Sequence, residues 1–132
     1  MEYLLDTNIC IYLIKKKPEQ VFQKFSALAI GSVGVSTITV AELEYGVAKS
    51  SNPAKNAVAL ETFLTPIEIV EFDFRAAEIY GTIRTQLEKA GTPIGPYDLL
   101  IASQAISMNI PLVTNNVKEF SRVPMLTVEN WV

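Results

Sequence analysis

Short apolar runs recur along this chain, and several stop at a polar residue able to open a helix. Tyr3-Leu4-Leu5 ends at Asp6, and Thr7 to about Lys16 then carries Ile11, Leu13 and Ile14 at helical spacing. Val33, Val35 and Ser36 form a second run after a break over Gly31 to Gly34. A helix follows from Thr37 to Ser50, with Val40, Leu43 and Val47 on its apolar side. Ile67, Ile69, Val70 and Phe72 read as a third strand. Asp73 then caps a helix whose apolar face is Phe74, Ala77, Tyr80, Ile83 and Leu87, ended by Gly91. Pro111 to Val113 supplies a fourth strand and Met125 to Val128 a fifth. Further helices fit the segment after Pro18, Ala54 to Leu64, and the nearly all-apolar Leu99 to Ile106. Strands alternating with helices predict an α/β fold with a mainly parallel sheet of four to five strands. In such sheets ligands bind beyond the carboxyl ends of the strands, where Asp6 and the helix starts lie.

The side-chain inventory narrows the chemistry that edge can perform. The chain has 132 residues, enough for one domain spanning 1–132, and 49% of them are hydrophobic, enough for a core. It contains no histidine, which removes histidine-dependent triads, histidine-bound metals and histidine-based RNA cleavage. Its one cysteine, Cys10, lies in an apolar run and reads as a buried structural thiol. A formal net charge of -3 gives no general attraction to nucleic acid, so any such activity must rest on a site. Lys15, Lys16 and Lys17 follow the apolar N-terminal run rather than precede it, the wrong order for a signal peptide, and no apolar run is long enough to span a membrane. The expectation is a cytoplasmic protein without a membrane partner. Hydrolysis here would have to use carboxylates and a hard cation, Mg²⁺ or Mn²⁺.

Three acids fall where a helix begins after a strand or loop, and each has a purely structural reading. Asp6 can be a helix N-cap, with Thr7 and Asn8 beside it. Thr39-Val40-Ala41-Glu42 matches a capping box, in which Glu42 reaches back to the Thr39 N–H. Asp98, after Gly95-Pro96-Tyr97, suits a first helical turn through the helix dipole. The alternative is that all three converge. Crowded carboxylates raise one another's pKa unless a cation compensates, and a divalent ion would do so.

The order of motifs adds a resemblance. Tyr3-Leu4-Leu5-Asp6-Thr7-Asn8, the segment Ser36 to Gly46 around Glu42, Gly95-Pro96-Tyr97-Asp98-Leu99-Leu100-Ile101-Ala102, and Leu112 to Phe120 resemble, in order, four motifs of the PIN-domain family, and within it the VapC toxins of bacterial toxin–antitoxin pairs. The resemblance implies a PIN-like three-layer α/β/α domain. It also implies that Asp6, Glu42 and Asp98 are the catalytic, metal-holding acids, supported by Thr7, Asn8, Thr114, Asn116 and Glu119. Asn116 stands where many members have a fourth acid, which lowers the negative charge of the site and makes Glu119 a candidate substitute. The implied activity is Mg²⁺- or Mn²⁺-dependent hydrolysis of RNA, leaving a 5′-phosphate and a 3′-hydroxyl. Structured RNA, notably tRNA and first of all initiator tRNA, is the implied substrate. A cognate VapB-type antitoxin, a homodimer, and contact with operator DNA only through the antitoxin are the implied assemblies. Lys15, Lys16, Lys17, Lys118 and Arg122 are the candidate RNA contacts. Two other readings stay open: a non-catalytic PIN-fold binding module, and a small phosphotransfer enzyme using Asp6, which would want an acid where Asn8 stands.

Overall fold

β1 (Tyr3–Leu5) is the centre of a five-stranded sheet ordered β3-β2-β1-β4-β5, in which every pairing is parallel. Its partners are β2 (Val33–Ser36) and β4 (Leu112–Val113), and the outer strands are β3 (Glu68–Val70) and β5 (Val128–Glu129). The computed structural model describes residues 1–132. Parallel strands need crossover connections, and helices supply them. α1 (Thr7–Lys15), α2 (Glu19–Ser26), α3 (Thr37–Ala48) and α4 (Pro53–Leu64) occupy the first half of the chain. α5 (Phe74–Lys89), α6 (Pro96–Met108) and the single turn α7 (Val117–Phe120) occupy the second.

Alternation along the strands divides the core in two. Leu5 and Val113 point to the side where Ile9, Cys10 and Leu13 of α1, Val21 of α2, Leu43 of α3 and Leu60 of α4 gather. Their neighbours Leu4 and Leu112 point the other way, onto Ile83 and Leu87 of α5, Leu99, Ile101 and Ala102 of α6, and Phe120. A sheet with helices on both faces is the expected α/β/α arrangement. Because both faces are covered, the central strands carry no polar alternation. Truncating a fully buried residue here, such as Leu4→Ala, would cost about 2–5 kcal/mol.

Several local expectations are corrected. Gly34 lies inside β2 rather than in a break. A Cβ there would run into the Met1 side chain and sit 3.2 Å from the Glu68 carbonyl, so glycine permits close packing. The buried side of α5 is Ala76, Ile83 and Leu87; Phe74 is 80% exposed and Ala77 is also exposed. The β3 ladder stops at Val70, because its one partner β2 ends at Ser36, opposite Val70, where α3 begins. Met125 has φ +69°, which is not strand backbone, and β5 starts three residues later. No helix is long and apolar enough to cross a membrane.

Candidate active site

The strand order reverses direction around β1, so the C-terminal ends of β1, β2 and β4 open on one crevice. Asp6 follows β1 directly and is 3% exposed. Its Oδ1 accepts the Asn8 N–H at 2.8 Å, so it is the N-cap of α1. Its Oδ2 accepts a hydrogen bond from the buried Thr114 hydroxyl, which follows β4. The structural reading of Asp6 is therefore correct, and the cap also fixes the carboxylate at the crevice. Burial raises the Asp6 pKa. The Thr114 and Asn8 hydrogen bonds oppose that rise, and the charges of Glu42 and Glu119 add to it.

Glu42 is not part of a capping box. Ser36 already caps α3, accepting the Ile38 N–H at 3.0 Å, and Thr39 lies buried inside the helix. With its helix start one turn earlier, Glu42 has no free N–H to reach. Its Oε1 instead accepts from the Thr7 hydroxyl at 2.7 Å, which ties α3 to the start of α1. Thr7 Oγ1 also lies 3.3 Å from the Thr39 hydroxyl.

Asp98 lies in the first turn of α6 and meets Glu119 of α7. Burial, then the hydrogen bond to Glu119, then the charges of Asp6, Glu119 and Glu42 push its pKa up to about 7. Burial would also raise Glu119. Hydrogen bonds from the Gly95 N–H, from the Asn116 amide and from Asp98, with Arg122 nearby, bring it below its ordinary value instead. Protonated Asp98 thus donates to ionised Glu119. Asn116 joins the groups, its N–H donating to Thr114 Oγ1 at 3.0 Å and its side-chain amide to Glu119 Oε2 at 3.1 Å. Asp6, Glu42, Asp98 and Glu119 therefore share one electrostatic environment.

All the donors these acids offer are oxygens, which suits a hard divalent cation. Their mutual repulsion is the kind a cation relieves. As placed, no three of them form a closed ligand set, because Asp98 is turned to Glu119 and Glu42 to Thr7. In charge and donor chemistry the residues fit such an ion.

A family model described as PIN domain matches residues 3–126. The chain belongs to the PIN-domain family. Curated relatives of this PIN domain include the ribonuclease VapC2 of Rickettsia felis, 48% identical over 99% of this chain and 98% of that protein. The tRNA(fMet)-specific endonuclease VapC of Salmonella typhimurium is 42% identical, over 99% of this chain and 98% of its own length. The crystal structure of VapBC2 from Rickettsia felis bound to a promoter DNA fragment contains a chain that superposes with TM-score 0.94 at 46% identity, over the full length of both.

Not every candidate residue of the PIN domain reaches the acids. Asn8 contributes its backbone N–H, while its residue is otherwise exposed. Lys16 and Lys17 lie past the far end of α1 from Asp6, about 13 Å along a nine-residue helix. Lys16 sits over the Phe22 ring. Lys15 is exposed and lines the same groove as Glu42. Arg122 donates to the Pro93 carbonyl at 3.4 Å, and Lys118 is exposed on α7. Sequence reasoning missed the Gly95 N–H as a holder of Glu119, although Gly-Pro before an acid marked that turn. It also missed Tyr12, whose hydroxyl accepts from Asn115 at 2.8 Å.

Proposed function

We propose that this chain is a metal-dependent endoribonuclease toxin, in which Asp6, Glu42 and Asp98 hold Mg²⁺ or Mn²⁺ and Glu119 takes part as the fourth acid. The observation that carries the reading is that hydrogen bonds through Thr7, Thr114, Asn116 and Gly95 hold four carboxylates near one another, with Asp98 raised to about 7 by burial and by its acidic neighbours. Arg122 offsets the charge of Glu119 alone, and Asp6, Glu42 and Asp98 have no salt bridge to a lysine or arginine. The near-full-length kinship with proteins named ribonuclease and tRNA(fMet)-specific endonuclease supports RNA as substrate, with initiator tRNA the first candidate.

The ion, when bound, polarises a phosphate oxygen and lowers the pKa of a bound water. The protein's part is to hold the acids in place beforehand. Thr114 and the Asn8 N–H fix both oxygens of Asp6, and Thr7 fixes Glu42. Asn116 and the Gly95 N–H hold Glu119, which holds Asp98. A proton on Asp98 must leave before its carboxylate faces a cation at full charge.

A cognate VapB-type antitoxin is the proposed inhibitor, with operator DNA contacted only through it, and the toxin is proposed to form a homodimer. The apolar groove of Ile11, Ile14, Leu43, Val47 and Leu60, running up to Glu42, offers that antitoxin a surface reaching the acids. The deciding experiment incubates the purified chain with tRNA in Mg²⁺, with and without excess EDTA. Cleavage in Mg²⁺ that stops with EDTA and returns with added Mg²⁺ is expected. Undiminished cleavage in EDTA by an uncontaminated preparation refutes the metal mechanism, and no cleavage under any condition favours a binding module.

A further inference from the structure

We propose that Tyr97 is a substrate-positioning side chain that stacks an unpaired RNA base beside the acid cluster; this rests on the ribonuclease reading above. The chain has five tyrosines, and four of them are engaged within the fold. Tyr3 packs edge-on against Trp131 with ring centroids 5.4 Å apart. Tyr12 accepts a hydrogen bond from Asn115. The Lys49 ammonium sits 4.8 Å above the Tyr45 ring, and Arg84 donates to the Tyr80 hydroxyl at 2.8 Å. Tyr97 has no hydrogen bond, no ring partner and no cation over it, and it is 59% exposed.

Its backbone is nevertheless held firmly. Tyr97 is the second residue of α6, after Pro96, whose ring fixes φ. The Gly95 carbonyl accepts the Leu99 N–H at 2.9 Å, and the Gly95 N–H is anchored on Glu119 at 3.1 Å. A stiff aromatic on a fixed backbone loses little freedom when something lies against it. The next residue is Asp98, so the exposed ring is carried on the same first turn of α6 as that acid. The other strongly exposed aromatic at a helix start, Phe74, follows the edge strand β3, two strands from β1.

Charge explains why a ring is needed there. The chain carries -3 overall, and the crevice concentrates acids that repel phosphates. Arg122 is tied to Pro93 and Glu119, and Lys16 and Lys17 are at the far end of α1, which among the candidate contacts leaves Lys15 and Lys118 as the exposed cations against four acids. Stacking needs no charge, and every base offers a π face, so an aromatic platform gives affinity that this electrostatic field does not.

The test compares wild type, Tyr97→Leu and Tyr97→Phe on an RNA hairpin with an unpaired loop carrying 2-aminopurine, in Mg²⁺. Tyr97→Leu is expected to raise KM about fivefold to a hundredfold, the range for losing one stacked base, with little change in kcat. Tyr97→Phe is expected to recover KM and the quenching of 2-aminopurine that Tyr97→Leu loses. Replacing the stacked nucleotide by an abasic one should cost wild type and leave Tyr97→Leu unaffected. Unchanged KM and quenching in Tyr97→Leu, or equal losses in both variants, overturn the proposal while leaving the ribonuclease reading intact. A shift of Tyr97→Leu to monomer at unchanged KM also overturns it, assigning the ring to a contact between copies. No RNA binding by wild type overturns both.

Discussion

Replacing Asp98 by Asn tests whether the acid cluster is strained in the absence of a cation. The folded protein keeps a proton on Asp98 up to pH about 7, whereas the unfolded chain releases it near 3.8. Between those values the folded state binds more protons, so stability falls as pH rises through the window and the full cost is felt above it. The whole displacement corresponds to a ceiling of about 4 kcal/mol. Asp98 is half-buried, so solvent screening reduces this to about 2 kcal/mol. An ionised acid in the first turn of α6 regains about 0.3–1 kcal/mol from the helix dipole. Roughly 1 kcal/mol of net repulsion remains, by combining those two estimates. Asparagine keeps a donor for Glu119 and carries no charge. Urea unfolding in EDTA should therefore find Asp98→Asn and wild type within a few tenths of a kcal/mol at about pH 3.5, below the unfolded value, where Asp98 is protonated in both states. At pH 8 the variant should be more stable by about 1 kcal/mol, or about 4 °C in Tm. It should cleave no RNA at either pH. A variant less stable at pH 8, or a difference that ignores pH, would refute the reasoning and leave Asp98 as a helix-start residue.

Glu42→Gln keeps the acceptor for Thr7 and should leave the melting temperature within a degree or two, while cleavage at limiting Mg²⁺ falls by orders of magnitude and antitoxin binding survives; near-wild-type cleavage removes Glu42 from the site. Thr114→Val leaves a buried oxygen of Asp6 without its donor and should destabilise the fold by about 1.5–3 kcal/mol in chemical denaturation. Wild-type cleavage at limiting Mg²⁺ should rise from pH 5.5 to 8 with a midpoint near 7, because protons compete with the ion for Asp98; at saturating Mg²⁺ the midpoint should move lower. A midpoint that ignores Mg²⁺ concentration argues against that competition.

The pattern of strand, polar residue and helix was legible because each element announces itself locally. The β1 run ending at Asp6 and the Asp73 cap of α5 stand where periodicity and capping chemistry put them. Errors arose where one local motif competed with another. Thr39 and Glu42 look like a capping box, but Ser36 caps α3 a turn earlier. The apolar face of α5 was misplaced at its start, since Phe74 is its first residue and the face that packs begins at Ala76. Spacing alone could not relate Asp6 to Glu42; the parallel pairing of β1 with β2 sets the starts of α1 and α3 side by side, and Thr7 joins Glu42 there. The Asp98–Glu119 pair was illegible for a different reason. It depends on α7 being one short turn that returns Glu119 to Gly95, and nothing local in Val117-Lys118-Glu119-Phe120 says so.

The hydrogen bond between Asp6 and Thr114 joins residues 108 positions apart, and it has a meaning for synthesis. The first acid leaves the ribosome early, but the group that holds it and the fourth acid emerge only near the end. Until β4 pairs with β1, Asp6 has neither its Thr114 donor nor the Asn116–Glu119 lattice beside it. Nascent or prematurely released fragments therefore lack the crevice, and the nuclease is born inert. A chain truncated before Leu112 and released from the ribosome should fail to cut RNA in Mg²⁺ even though it carries Asp6, Glu42 and Asp98.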